Sequence, residues 1–119
     1  MESLEGVERL LRMRKTMLIN CDLKAFPEEL CKIRHLEEII INNNPFGTIP
    51  DTISRLVYLK ELSAPNCGLK VLPEAISSCK NLKILNVEKN GIDRLPDSIV
   101  SIKGLESLFL SLNEIQALP

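Results

Sequence analysis

Apolar positions in this chain keep no single spacing for long. In the stretch "ILNVEKNGIDRLPDSI", residues 84–99, Leu85 and Val87 stand two apart, as on one face of a strand. Asn90 and Gly91 then interrupt the pattern, Pro96 follows, and Ile99, Ile102 and Leu105 continue at a spacing of three. The same succession returns along the chain. Proline falls at Pro27, Pro50, Pro73, Pro96 and Pro119, each 23 residues after the last. A fixed period of this length marks a stacked repeat architecture. Aligned in phase, the units run Leu105, Leu108, Leu110, Asn113, Ile115, Leu118, Pro119; Leu82, Leu85, Val87, Asn90, Ile92, Leu95, Pro96; and Leu59, Leu62, Ala64, Cys67, Leu69, Leu72, Pro73. Leu36, Ile39, Ile41, Asn44, Phe46, Ile49, Pro50 form the second unit, and Met13, Thr16, Leu18, Cys21, Leu23, Phe26, Pro27 the weaker first.

Each unit predicts a short strand, a polar turn and a short convex helix. Leu62, Leu85 and Leu108 belong to the strands and point inward. Asn44, Asn90 and Asn113 fall where the chain leaves the strand, and their amides can both donate to and accept from backbone groups that the turn would leave buried. Cys21 and Cys67 share that column. Each internal proline is placed at a first helical position, where its missing N–H is harmless, and is followed by an acid: Glu28, Asp51, Glu74 or Asp97. The spacing of three beyond it predicts the inner face of a short, tight helix.

The pattern LxxLxLxxNxLxxLP, with an isoleucine three residues after the proline at Ile53, Ile76 and Ile99, resembles the leucine-rich repeat family over essentially the whole chain. The period is similar to that of the intracellular subclass seen in Ras-pathway scaffolds and Scribble-type polarity proteins. The resemblance implies an α/β fold: a right-handed solenoid with a concave parallel sheet and short convex helices or 3-10 turns. Repeats then occupy residues 16–119, the last one incomplete, and residues 1–15 form an amphipathic half-repeat that caps the N-terminal edge, with Val7, Leu10 and Met13 turned inward. The C-terminal edge, with Leu108, Leu110, Ile115 and Leu118, carries no polar cover in the sequence, so a longer array, a missing cap or end-to-end self-association is expected there. Pro65, inside the third unit, is expected to shorten its strand, with Ala64 thinning the core beside it.

Composition narrows the chemistry. A net charge of −1 gives no basic surface for nucleic acid or anionic lipid, and no apolar run is long enough for a membrane span. Of the four cysteines, Cys21 and Cys67 lie two strands apart, roughly 9–10 Å, too far to bridge. Cys79 takes an inward position, and Cys31 is expected to be the one that meets solvent. Free thiols point to a reducing, cytoplasmic setting. His35 is the only histidine and is placed on the exposed convex side, so neither a zinc site nor a catalytic dyad can be assembled. The glycines occur singly, without a phosphate-cradling loop. No enzyme activity and no cofactor is expected.

What is left is the concave face. Strand residues alternating with the core align in three columns: Met17, Ile40, Ser63, Asn86, Phe109; Ile19, Asn42, Pro65, Glu88, Ser111; and Lys15, Glu38, Glu61, Ile84, Ser107. The candidate partner-binding residues are Met17, Ile19, Glu38, Ile40, Asn42, Glu61, Ser63, Ile84, Asn86, Glu88, Phe109 and Ser111. Exposed apolar groups with acids beside them suit a protein-binding patch. A scaffold or adaptor that binds a partner protein is the expected function. The recognition arm of a larger signalling protein or enzyme, and a microbial effector, are the alternatives.

Overall fold

The computed structural model describes residues 9–119. Five three-residue strands, β1 (Lys15–Met17), β2 (Glu38–Ile40), β3 (Glu61–Ser63), β4 (Ile84–Asn86) and β5 (Ser107–Phe109), pair in parallel in chain order. The register is constant: Thr16, Ile39, Leu62, Leu85 and Leu108 stand side by side, one period apart. Opposite the sheet lie four 3-10 helices, at Glu28–Lys32, Asp51–Arg55, Glu74–Ser78 and Asp97–Ser101. The chain is therefore a solenoid, one coil per period. The cap expected for residues 1–15 falls largely outside the described residues; within them, residues 9–11 are helical, Met13 packs on the core, and Leu10, expected inward, is exposed.

The spacing of three on the convex side has a direct cause. The Ile53 N–H donates to the Pro50 carbonyl, Leu56 to Ile53 and Leu59 to Leu56, at 3.0–3.1 Å, and the other coils repeat this chain of bonds. Every third residue is thus hydrogen-bonded and turned inward, and Ile53, Leu56 and Leu59 are completely buried. Each internal proline stands one place earlier than expected. Pro27, Pro50, Pro73 and Pro96 are the N-cap residues, with φ between −63° and −74°, and each carbonyl accepts the first turn's bond. Their missing N–H groups still cost nothing.

Burial depends on neighbours. Leu62 and Leu85, with a coil on either side, are fully buried, whereas Leu108, in register with them on the last strand, is 36% exposed. Burying a leucine is worth about 1.5–3 kcal/mol, so each coil depends on the next for much of its stability.

The turn out of each strand is held by the asparagine column. Asn44 is completely buried. Its Nδ2 donates to the carbonyls of Leu18 and Ile41, at 2.6 and 2.9 Å, and its Oδ1 accepts from the N–H groups of Cys21 and Leu23, at 2.8 and 3.2 Å. Asn90 repeats this set with Ala64, Val87, Cys67 and Leu69. Asn113 reaches Val87, Leu110 and the Ile92 N–H. Because every amide spans two coils, the column ties the stack together as well as closing each turn. It also explains Pro65. The strand there keeps its three residues, contrary to expectation, because the carbonyl a residue-65 N–H would seek, that of Ile41, is already taken by Asn44 and by Cys67 Sγ. The Pro65 carbonyl still accepts from the Asn43 N–H.

One place before the ladder, the sequence reading missed a second column. Asn20, Asn43, Asn66, Lys89 and Leu112 all adopt φ between +54° and +61°. Left-handed backbone suits asparagine, whereas Lys89 and Leu112 hold it at a steric cost.

The cysteines are all free. Cys31, expected at the surface, is 1% exposed, because the tight turn aims it sideways at Thr52 of the following coil. Cys21 is the exposed one: it lies on the first coil, whereas Cys67 in the same column is fully covered. Burial pushes the Cys31 and Cys67 thiols up, partly offset by a hydrogen bond with Thr52 and by the Asn44 and Asn43 N–H groups respectively. Burial pushes Cys79 up to about 12.

Replacing Asn44 by alanine strands several buried backbone groups at once; urea melts should show a loss of about 2–4 kcal/mol. Lys89→Asn relieves left-handed strain and should raise stability by about 0.5–1 kcal/mol in the same assay. A thiol reagent should label Cys21 alone in the native protein and the other three only after unfolding. The unfolded chain loses its thiol protons first, so their contribution is intact below pH 9 and declines as pH rises from 9 toward 12, which melts at graded pH will measure.

Candidate functional site

The concave face is generated by strand alternation. Leu62 and its register mates point into the core, so the residues on either side of each must point out. The register places Met17, Ile40, Ser63, Asn86 and Phe109 in one row and Lys15, Glu38, Glu61, Ile84 and Ser107 in another. The third row is carried by the bonds just beyond the strands, Asn20 N–H to Asn42, Asn43 to Pro65, Asn66 to Glu88 and Lys89 to Ser111.

Exposure is uneven along these rows. Met17 is 56%, Ile19 40% and Phe109 44% exposed, while Ile40 is half-buried among them. Ser63, expected to offer contact surface, is only 6% exposed, because its hydroxyl turns aside to donate to Asn42 Oδ1 at 2.8 Å. Asn86 is likewise engaged, its Oδ1 accepting the Glu88 N–H at 3.1 Å. Ile84, on the fourth strand, is half-buried, and the more exposed apolar groups form two poles with hydrogen-bonded Ser63 and Asn86 between them. Met17, Ile19 and Ile40 make one pole and Phe109 the other. At about 4.8 Å per strand, Ile40 and Phe109 stand roughly 14 Å apart.

Charge is distributed along the rim. Glu37 is held between Arg14 (3.6 Å) and Lys60 (3.3 Å), and Lys15 meets Glu38 at 3.9 Å. These pairs are half-exposed and worth little individually. Among the described residues Glu61 and Glu88 have no ion-pair partner and leave negative charge between the poles.

No group of three or more His, Cys, Asp or Glu side chains able to hold a metal occurs among the described residues, and no helix there is long and apolar enough to cross a membrane. A second surface grouping escaped the sequence reading. His35 and Tyr58 stack with ring centroids 5.0 Å apart and planes 17° from parallel. The signal was present, since the two positions are one period apart.

The Leucine Rich Repeat family model matches residues 35–56. A comparison with curated protein sequences finds no match. Among solved structures, a leucine-rich repeat protein of Leptospira interrogans is 27% identical with a TM-score of 0.86, over 99% of this chain and 30% of its own. The BIR3–SERK2 complex of Arabidopsis thaliana matches at 28% identity and TM-score 0.76, over 85% of this chain and 56% of that one. The leucine-rich repeat domain of the type III effector XopL, 22% identical with TM-score 0.69 over 96% of this chain and 50% of its own, shares the fold. The chain thus spans no more than about half the length of these structures. Five coils in one register, an amide ladder between them, the family model matching one coil and these neighbours together identify the fold as that of leucine-rich repeat proteins.

Proposed function

We propose that the chain is a protein-interaction module that binds a partner protein across its concave sheet. The observation that carries this reading is the exposure of Met17, Ile19 and Phe109 at the two ends of the concave face. Large apolar groups held in water on a rigid sheet contribute most when a partner covers them. Their arrangement in two poles favours a partner element laid across the strands, long enough to touch both Ile40 and Phe109. Glu61 and Glu88 favour a partner with basic groups over the centre. In keeping with this use of the fold, the Arabidopsis relative was solved as a complex between two proteins.

Within this reading a scaffold or adaptor needs nothing further, whereas a recognition arm would serve activity carried elsewhere in a larger signalling protein or enzyme. A microbial effector is the remaining alternative, and the fold shared with XopL keeps it in view. Free cysteines, three of them buried, suit a cytoplasmic protein. The apolar edge at Leu108, Leu112 and Leu118 is where a further coil or a second copy of the chain would stack.

Affinity capture followed by mass spectrometry, with the wild type beside Ile40→Glu, Phe109→Glu and the double variant, tests the concave site. Each single change should weaken recovery of the same partner and the pair should abolish it, with circular dichroism unchanged. Undiminished recovery by a folded double variant would remove the concave face from consideration.

A further inference from the structure

Away from the concave face, the exits of the first two 3-10 helices build a depression of about 550 Å³ lined by Arg34, His35, Arg55, Val57 and Tyr58. The repeat explains its composition. Stacking by one period sets His35 on Tyr58 and Arg34 on Val57, and the second helix ends at Arg55 beside them. The aromatic stack stops there, because the next coil has Asn81, whose Nδ2 donates to the Val57 carbonyl at 2.8 Å and fixes the loop from below.

Three features separate this place from an ordinary solvated surface. Both guanidiniums lack a carboxylate partner among the described residues, although the chain has 16 acidic and 15 basic side chains and five ion pairs elsewhere. Among the described residues no acid lines the depression. Tyr58 and Val57, 48% and 44% exposed, leave ring and aliphatic surface open beside the two cations. Planar guanidiniums match the oxygens of a phosphate or carboxylate and bind them through paired, charge-assisted hydrogen bonds. A loop already held by Asn81 and a ring already stacked lose little freedom on binding.

We propose that this depression is an anion site, in which Arg34 and Arg55 take the oxyanion of a phosphate or carboxylate ligand and the His35–Tyr58 stack receives the apolar group that bears it. The site is distinct from the concave surface, so the two stand or fall separately.

The molecule carries its own reporters, since His35 is the only histidine and Tyr58 the only tyrosine. Phenyl phosphate, benzoate and inorganic phosphate would each be titrated at fixed pH and ionic strength while the ring proton resonances of both residues are followed by NMR. Saturable shifts of both rings with phenyl phosphate or benzoate are expected, and the probe that binds tighter identifies the oxyanion. Weaker binding of inorganic phosphate would assign the difference to the stack. The double variant Arg34→Gln/Arg55→Gln should weaken binding about tenfold or more, whereas Lys103→Gln on a distant coil should leave it unchanged. Both arginines are exposed, so the variant should keep the wild-type circular dichroism. Shifts that grow linearly without saturating, or that persist unchanged in the double variant, would overturn the proposal.

Discussion

Burial of one coil's leucines by the next coil is the constraint from which the rest of this structure follows. A three-residue strand joined to one turn of 3-10 helix cannot enclose a core alone. Its inward strand residues are covered fully where another coil lies against each side, and the contrast between Leu85 and Leu108, in register and on adjacent strands, shows the size of the effect. Stacking demands that every coil have the same path, and that demand accounts for the constant period better than any local preference does.

Identical paths raise a polar problem, since every turn out of the sheet buries backbone groups at the same place. The asparagine column answers it, one amide serving the coil that carries it and the coil before. Cys67 takes a place in that column with less to offer: its thiol donates to the carbonyls of Ile41 and Pro65, while the Asn90 amide of the following coil accepts its own N–H. The ladder tolerates a cysteine rung because the asparagine of the following coil reaches across to it, as Asn44 does to Cys21 and Asn90 to Cys67. The left-handed residue before each rung belongs to the same solution. It turns the chain sharply enough for the next side chain to face inward.

The constraint also shapes the surface. Once the coils are in register, outward residues fall into rows, and a row is a chemical surface that no single coil possesses. The two apolar poles of the concave face arise this way, from residues up to 92 positions apart in sequence. So does the aromatic pair on the flank, from residues one period apart.

Much of this was legible in the sequence. The period, the strand positions, the inward leucines, the amide ladder and the membership of the three concave rows all follow from residue type and spacing, because strand alternation and fixed coil length leave few other arrangements. The left-handed column could have been read from Asn20, Asn43 and Asn66, but Lys89 and Leu112 hide it, since tertiary packing there overrides their backbone preference. Which way a side chain turns was settled only by the packed structure. Cys31 bends toward Thr52 and is covered, Ser63 spends its hydroxyl on Asn42, and Pro65 gives up a donor for which no acceptor was free. Sequence spacing determines which residues share a row; the neighbouring coil, through contacts only a few ångströms wide, decides which of them reach water.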